Sequence, residues 1–448
     1  MFFQRFYNES IAQASFLVAC NADREAIVID PTRDVDQYVD LAAQKGFRIV
    51  AVTETHIHAD YVSGSRELAS ITGASLYLSR EGGADWQYTY AKEPNVRLIG
   101  DGDEIKIGNI RLRAIHTPGH TPEHLSFLLI DGAATSEPVA MFSGDFIFAG
   151  DVGRPDLLET AAGFKNTMQQ GAATLFGSLV KAKDLPEWLV LWPGHGSGSA
   201  CGKALGGTPC TTLGYEKLVN ESLRITTEEQ FVHSILAGQP EPPKYFARMK
   251  RLNKEGPTFT RGKWNVSELR SLDDIQLIDV RSMDEFLQGS SKGAIWIPKG
   301  PSFSKWTGSL LDPERPVAIL ANGAEEGIQA AKYLVMIGIE HIAGWTRPDQ
   351  SFVLPTATLP PPTAFVLDVR GGAEREEESI EGTSHIPLVY LSDRTRDLPV
   401  PLFVHCASGS RSVIAASYLQ SRGLEATAIL ADFDDLKRNM QSSAAVGV

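Results

Sequence analysis

The chain has 448 residues, which at roughly 100–200 residues per domain points to two to four domains rather than one compact core. Hydrophobic residues at 43% and charged residues at 22% exclude a disordered, collagen-like or coiled-coil chain. Acidic residues outnumber basic ones 55 to 42, and the net charge of −13 speaks against nucleic acid or another polyanion as a partner of the whole surface.

The cysteines Cys20, Cys201, Cys210 and Cys406 are too sparse and irregular for a disulfide framework or a structural zinc cage, so reduced thiols and a cytoplasmic setting are expected. The start MFFQRFYNESIAQASF lacks the basic opening and long apolar run of a secretory signal. No stretch reaches the ~18 apolar residues of a membrane span, and no membrane partner is expected.

Short apolar runs predict the strands of the first ~237 residues: SFLVAC, AIVIDP, FRIVAVTET, SLYLS, IRLRAIHT, LSFLLI, VAMFSGD and WLVLWPGHG. FRIVAVTE leads into THIHADYVSGSRELA, which sets His56, His58 and Asp60 on a loop ahead of a helix predicted to begin near Val62. His116, His120 and His124 follow in HTPGHTPEH, Asp145 in FSGDFIFAGDVGRPD and His195 in WPGHGSG. Six of the ten histidines therefore sit at strand ends in three short segments, a concentration that isolated core histidines do not explain; His124 alone reads equally well as structural. Gly238 to Pro257, rich in proline and cations, is predicted to be a linker.

The order HxHxD, TPGHT, SGD, PGH, each following an apolar run, resembles the metallo-β-lactamase superfamily across the first ~240 residues. The resemblance implies an αββα sandwich with a metal at one edge, in an α/β multidomain chain. Thioesterases of the glyoxalase II type carry HxHxDH, whereas Tyr61 stands at the last position here; a phenol with an ordinary pKa near ~10 is a poor metal ligand, which favours a single metal. Persulfide dioxygenases of this superfamily hold one iron on two histidines and an aspartate, and the matching residues are His56, His120 and Asp145. This implies one Fe(II) per chain, with a low-molecular-weight thiol persulfide and O2 as substrates. His58, Asp60, Tyr61 and His195 are then expected around the ligands. GDVGRPD resembles the segment after the metal aspartate in those dioxygenases and implies that Arg154 helps place an anionic substrate, a pairing with Asp151 or Asp156 being the competing reading. Cys201, six residues after His195, is expected either as a thiol at the pocket mouth or as a small buried residue.

Beyond residue 257 the chain repeats itself. LIDVRSMDEF at Leu277 matches VLDVRGGAER at Val366, and GAIWIP at Gly293 matches GTSHIP at Gly382, both 89 residues apart; AAKYL at Ala330 matches AASYL at Ala415 at a spacing of 85. LPTATLPPPT between the copies reads as a second linker. In the second copy FVHCASGSRSVIAASYL predicts a strand, a short loop and a helix, where loop N–H groups, the helix N-terminus and Arg411 would stabilise a Cys406 thiolate. Four residues rather than the five of a cysteine phosphatase separate Cys406 from Arg411. With the DVR and GxxxIP elements this loop resembles a rhodanese, implying sulfur transfer by Cys406 and Arg411. The first copy has Ala321 and Glu326 at those positions, so it resembles a rhodanese without its nucleophile.

The expected domains are therefore a dioxygenase-like domain at 1–240, a degenerate rhodanese-like domain at 262–350 and a rhodanese domain at 360–448. The module order resembles bacterial persulfide dioxygenase-rhodanese fusions and implies oxidation of a persulfide to sulfite coupled to thiosulfate formation, in a homo-oligomer. A zinc-dependent thioester hydrolase fused to a sulfurtransferase is the alternative.

Overall fold

The computed structural model describes residues 1–160, 167–203, 205–272, 275–396 and 398–446. They divide into two units: Met1–Arg261 with Met336–Gly338, and Gly262–Val335 with Ile339–Val448.

In the first unit the apolar runs pair into two six-stranded sheets. One has the order β1 (Phe2–Asn8), β2 (Gln13–Cys20), β3 (Glu25–Ile29), β4 (Arg48–Thr53), β5 (Ser75–Ser79), β6 (Val96–Ile99). The other contains β7 (Glu104–Ile107), β8 (Ile110–His116), β9 (Leu125–Asp131), β10 (Ala140–Gly144), β11 (Val190–Pro193) and β12 (Thr211–Thr212), adjacent in chain order.

Alternate residues of a strand face opposite ways, so a strand covered on both faces reads as a continuous apolar run. β2 shows this: every one of its residues is buried. Phe16 and Val18 meet Leu112, Phe127 and Phe142 of the opposite sheet, while Leu17 and Ala19 pack with Tyr38, Ala42 and Leu68 of the helices Asp36–Lys45 and Ser65–Thr72. On the far side Leu128, Met141 and Leu191 pack against Leu175, Leu179, Phe231 and Ile235 of the helices Met168–Ala182 and Glu228–Leu236. The layers are those of an αββα sandwich, as expected. Truncating a ring such as Phe142 to alanine would cost about 3–5 kcal/mol.

Parallel pairing carries the functional segments to one edge. β10 pairs with β11 in parallel, so Asp145 and His195 leave the sheet side by side. Gly194 N–H donates to Gly144 O at 2.9 Å within that sheet, while Ala14 N–H to Gly194 O and Leu125 N–H to Thr55 O, each at 2.7 Å, tie the two sheets together there.

Two local expectations differ from the structure. The helix after the HxHxD loop starts at Ser65, because Ser63 is held in an isolated antiparallel bridge with Thr32 and Gly64 N–H donates to Pro31 O at 2.8 Å. Gly238 to Pro257 is not a bare linker: Phe246–Glu255 is a helix whose Phe246, Met249, Lys250 and Asn253 are buried. Their helical spacing is the signal that the flanking prolines obscured.

In the second unit β13 (Gln276–Asp279), β14 (Ala294–Trp296), β15 (Val317–Leu320) and β16 (Ile342–Thr346) form a parallel sheet ordered β14-β13-β15-β16. β17 (Thr356–Ala357), β18 (Phe365–Asp368), β19 (Ser384–His385), β20 (Leu402–His405) and β21 (Ala426–Ile429) form another, ordered β17-β21-β20-β18-β19. Apart from the edge strand β17, drawn from the proline-rich segment, the orders are the same, so the sequence repeat is a repeat of topology. In each copy the arginine of the DVR element doubles back onto its own aspartate, Arg281 on Asp279 at 2.7 Å and Arg370 on Asp368 at 2.9 Å. Trp296 N–H of the first copy donates to Ser417 Oγ of the second at 3.0 Å.

Candidate functional site

His56, His120 and Asp145 each bring one ligand atom to within 4.8 Å of the others, and all three are buried. His120 Nδ1 lies 2.9 Å from Arg154 O; a carbonyl only accepts, so Nδ1 carries the proton and Nε2 keeps its lone pair, 3.4 Å from Asp145 Oδ2. Burial, reinforced by neighbouring His58, holds His56 well below the usual histidine range, and burial lowers His120. Both are therefore neutral imidazoles, the form that binds metal. Burial alone would raise Asp145, yet the charge and hydrogen bond of His195 hold it well below the usual carboxylate range. Its Oδ2 is buried and has no hydrogen-bond partner among the described residues. Two imidazole nitrogens and an unpartnered carboxylate oxygen converging in a buried site fit a divalent cation.

A second group lies beside it: Asp60, His195 and Cys201 also offer ligand atoms within 4.8 Å of one another. His195 is held between two carboxylates, Nδ1 at 2.7 Å from Asp145 Oδ1 and Nε2 at 2.7 Å from Asp60 Oδ2. Burial would lower it, but those carboxylates hold the imidazolium well above the usual range. Cys201 is 1% exposed, which places it inside the site rather than at a mouth. Burial, then the charges of Asp145 and Asp60, push its thiol well above the ordinary value. Arg154 is buried and grips Asp156 with two bonds of 2.8 and 2.6 Å while donating to Ala200 O at 3.3 Å, which is the pairing read as the competing role. It acts here as a strut between the segments after Asp145 and His195. Tyr61 turns away from the ligands: its hydroxyl donates to Asp30 O at 3.1 Å and its ring lies 4.5 Å from that of His58.

Asp30 and Asn253, which no motif marks, support the site together with Gly144 and with His124, whose structural reading the geometry favours. Asp30, in the left-handed region at φ 52, accepts from Thr55 N–H at 2.6 Å and Thr55 Oγ1 at 2.9 Å, and lies 3.1 Å from His58 Nε2. Burial opposes protonation of His58, but Asp30, with Asp60 and Glu54, raises it. His124 accepts Asp145 N–H on Nε2 at 3.0 Å, so its proton sits on Nδ1, 2.8 Å from Thr117 Oγ1. Burial lowers His124 to about 3, keeping it neutral as that bond requires. It therefore positions the backbone of Asp145. Gly144 makes this approach feasible: a Cβ there would lie 2.6 Å from His124 Nε2, and its φ of +53 suits glycine. Asn253 clasps the HxHxD loop, donating to His58 O and Tyr61 O at 2.7 Å each and accepting from Ser63 N–H at 2.8 Å.

In the second unit Cys406 follows β20 and is buried, its sulfur accepting Gly409 N–H at 3.2 Å. The loop opens into the helix Ser410–Ser421. Arg411 makes two bonds of 2.6 and 2.7 Å to Glu374 and none to Cys406 among the described residues. In the first copy Ala321 follows β15, and Glu326 takes the loop N–H of Asn322 at 2.8 Å while pairing with Lys299 at 3.3 Å. A carboxylate of the chain thus occupies a loop N–H in the first copy, whereas in the second copy a loop N–H meets the Cys406 sulfur.

Residues 11–195 match the family model of the metallo-beta-lactamase superfamily. The chain is 30% identical over 221 residues to the persulfide dioxygenase ETHE1 of Bos taurus, spanning 48% of this chain and 73% of that protein. The chain belongs to the metallo-β-lactamase superfamily. It is also 30% identical over 181 residues to the hydroxyacylglutathione hydrolase of Rhodospirillum rubrum, 40% of this chain and 60% of that relative. Among solved superfamily structures, a metallo-beta-lactamase from Staphylococcus aureus subsp. aureus COL superposes with a TM-score of 0.72 at 37% identity, covering 78% of this chain and 99% of its own. Members with different reactions share the fold, so the choice among them rests on the site.

Proposed function

We propose that the first unit oxidises the outer sulfur of a low-molecular-weight thiol persulfide and that Cys406 of the second transfers sulfane sulfur. The observation that carries the first part is the buried set of two neutral histidines and Asp145 Oδ2, a two-histidine, one-carboxylate donor set suited to non-haem Fe(II). When bound there, ferrous iron would supply the redox chemistry by which O2 oxidises the sulfur. The balance is RSSH + O2 + H2O giving RSH, sulfite and two protons. Around the metal, His124 and His195 fix Asp145 from its backbone and from Oδ1, and Asp30 orders the loop carrying His56. His195, between two carboxylates, is placed to hold or pass a proton.

In the second unit the Cys406 thiolate would accept a sulfane sulfur and pass it to sulfite as thiosulfate. The rhodanese motif and the repeated parallel sheet support this reading. The reduced cysteines suit a reducing compartment. Among the described residues no helix is long and apolar enough to cross a membrane.

The second reading is a zinc thioester hydrolase. The Asp60, His195 and Cys201 group favours it, because a second cation there would make the dinuclear centre that such hydrolysis uses. Anaerobic purification followed by metal analysis and oxygen uptake on a persulfide separates the two. Iron with oxygen consumption supports the dioxygenase; two zinc ions with thioester hydrolysis and no oxygen uptake support the hydrolase.

A further inference from the structure

A cavity of ≈ 430 Å³ opens in the second unit where the segment after β14 in the first copy faces the helix that follows the Cys406 loop. The first copy contributes Lys299, Lys305 and Trp306, and the second contributes Ser410, Arg411 and Ile414. Among the described residues that line it three are cations and none is acidic, in a chain whose acids exceed its bases by 13. The carboxylates that pair with two of these cations, Glu326 on Lys299 and Glu374 on Arg411, do not line the cavity. Lys305 lies over the Trp306 ring at 4.8 Å. Small-molecule pockets run from about 300 to 1,000 Å³, so a tripeptide-sized thiol fits.

We propose that the first copy, which lacks a nucleophile, is the recognition wall of the second: Lys299 and Lys305 bind the carboxylate or phosphate groups of a multiply anionic low-molecular-weight thiol persulfide whose outer sulfur is delivered to Cys406. This rests on the sulfur-transfer reading of Cys406. In the step, the Cys406 thiolate attacks the outer sulfur and a new S–S bond forms. The S–S bond of the donor breaks, and its electron pair leaves on the departing thiolate, which takes the proton of a protonated donor. Sulfite then removes the sulfane sulfur as thiosulfate and regenerates the Cys406 thiolate. No oxidant or reductant is consumed.

The test uses the full chain with sulfite as acceptor and thiosulfate as readout. Two donors are compared: glutathione persulfide, and the persulfide of 2-mercaptoethanol, whose tail is uncharged. The double variant Lys299→Ala/Lys305→Ala should raise KM for glutathione persulfide about ten-fold with kcat within about two-fold. Its kcat/KM preference for the anionic donor should fall about ten-fold. In the unmodified protein KM for glutathione persulfide should rise with ionic strength while KM for the uncharged donor should not, a measurement that needs no variant. Glu326→Gln, which strips Lys299 of its counter-charge, should lower KM for the anionic donor. An unchanged donor preference in the double variant, or a salt-independent KM, overturns the proposal. Cys406→Ser separates the levels: if transfer survives in it, the sulfur-transfer reading itself fails, whereas dependence on Cys406 with unchanged donor preference sinks only the recognition wall.

Discussion

Asp145 gives one carboxylate oxygen to His195, Oδ1 lying 2.7 Å from Nδ1, and leaves the other without a hydrogen-bond partner among the described residues. The carboxylate is thereby divided into an oxygen that fixes orientation and an oxygen left for a cation. Replacing His195 by alanine should therefore lower metal affinity by roughly 10–100-fold without removing any of the three proposed ligands. Titration of the metal-free protein with Fe(II) or Co(II) reads this directly, and Asp145→Asn, which removes the ligand charge itself, should lower affinity further. Equal affinities for the His195→Ala and unmodified proteins would show that the contact plays no part in holding the cation.

His124 acts on the same aspartate through the backbone. His124→Phe keeps the ring volume but leaves Asp145 N–H without its acceptor, at a cost of about 1–3 kcal/mol for the unmatched donor. Urea midpoints should fall accordingly, and metal occupancy with them.

Asn253 fastens three backbone groups of the HxHxD loop. Asn253→Ala should destabilise the first unit by about 3–5 kcal/mol, since two buried carbonyls and one N–H lose their partner. Thermal unfolding measures the loss; a change within about 0.5 kcal/mol would mean that the loop holds its shape unaided.

Glu123 is buried, accepts Ile57 N–H at 2.7 Å, and is raised by burial to about 7 from an ordinary 4.5. Its folded pKa exceeds the unfolded one, so the stabilisation tied to its proton is full below pH 4.5 and is lost as pH rises through 7. Glu123→Gln keeps the acceptor and removes the titration. Across that window the unmodified protein should lose stability relative to the variant, by on the order of 3 kcal/mol. Denaturation midpoints at a series of pH values report it, and parallel curves would contradict the assignment.

The strand ends were legible because each donor follows an apolar run long enough to announce a buried strand; His56, His120, Asp145 and His195 stand at four such ends and meet at one sheet edge. Their supports were not. Asp30 sits in an unremarkable Ile-Asp-Pro, and nothing local marks its bonds to Thr55. Asn253 reaches a loop about 190 residues earlier, and the prolines and cations around its helix read as a linker. The spacing of Cys201 from His195 marks it as a site candidate, but spacing along a Gly-rich loop does not distinguish a pocket mouth from the buried position it takes. The repeat in the second unit was legible for a different reason: matching segments 89 and 85 residues apart imply one fold used twice, and the two sheets share their strand order.

The central claim, that one chain carries an oxygenating metal centre and a separate sulfur-transfer cysteine, is tested most directly by one paired assay on iron-loaded full-length protein. Oxygen uptake and sulfite release from a thiol persulfide are recorded alongside thiosulfate formation for Asp145→Ala and Cys406→Ser. The account predicts that Asp145→Ala abolishes oxygen uptake while sulfur transfer to added sulfite persists, and that Cys406→Ser abolishes transfer while oxygen uptake and sulfite release persist. Oxygen uptake that survives Asp145→Ala, or sulfur transfer that survives Cys406→Ser, would contradict it.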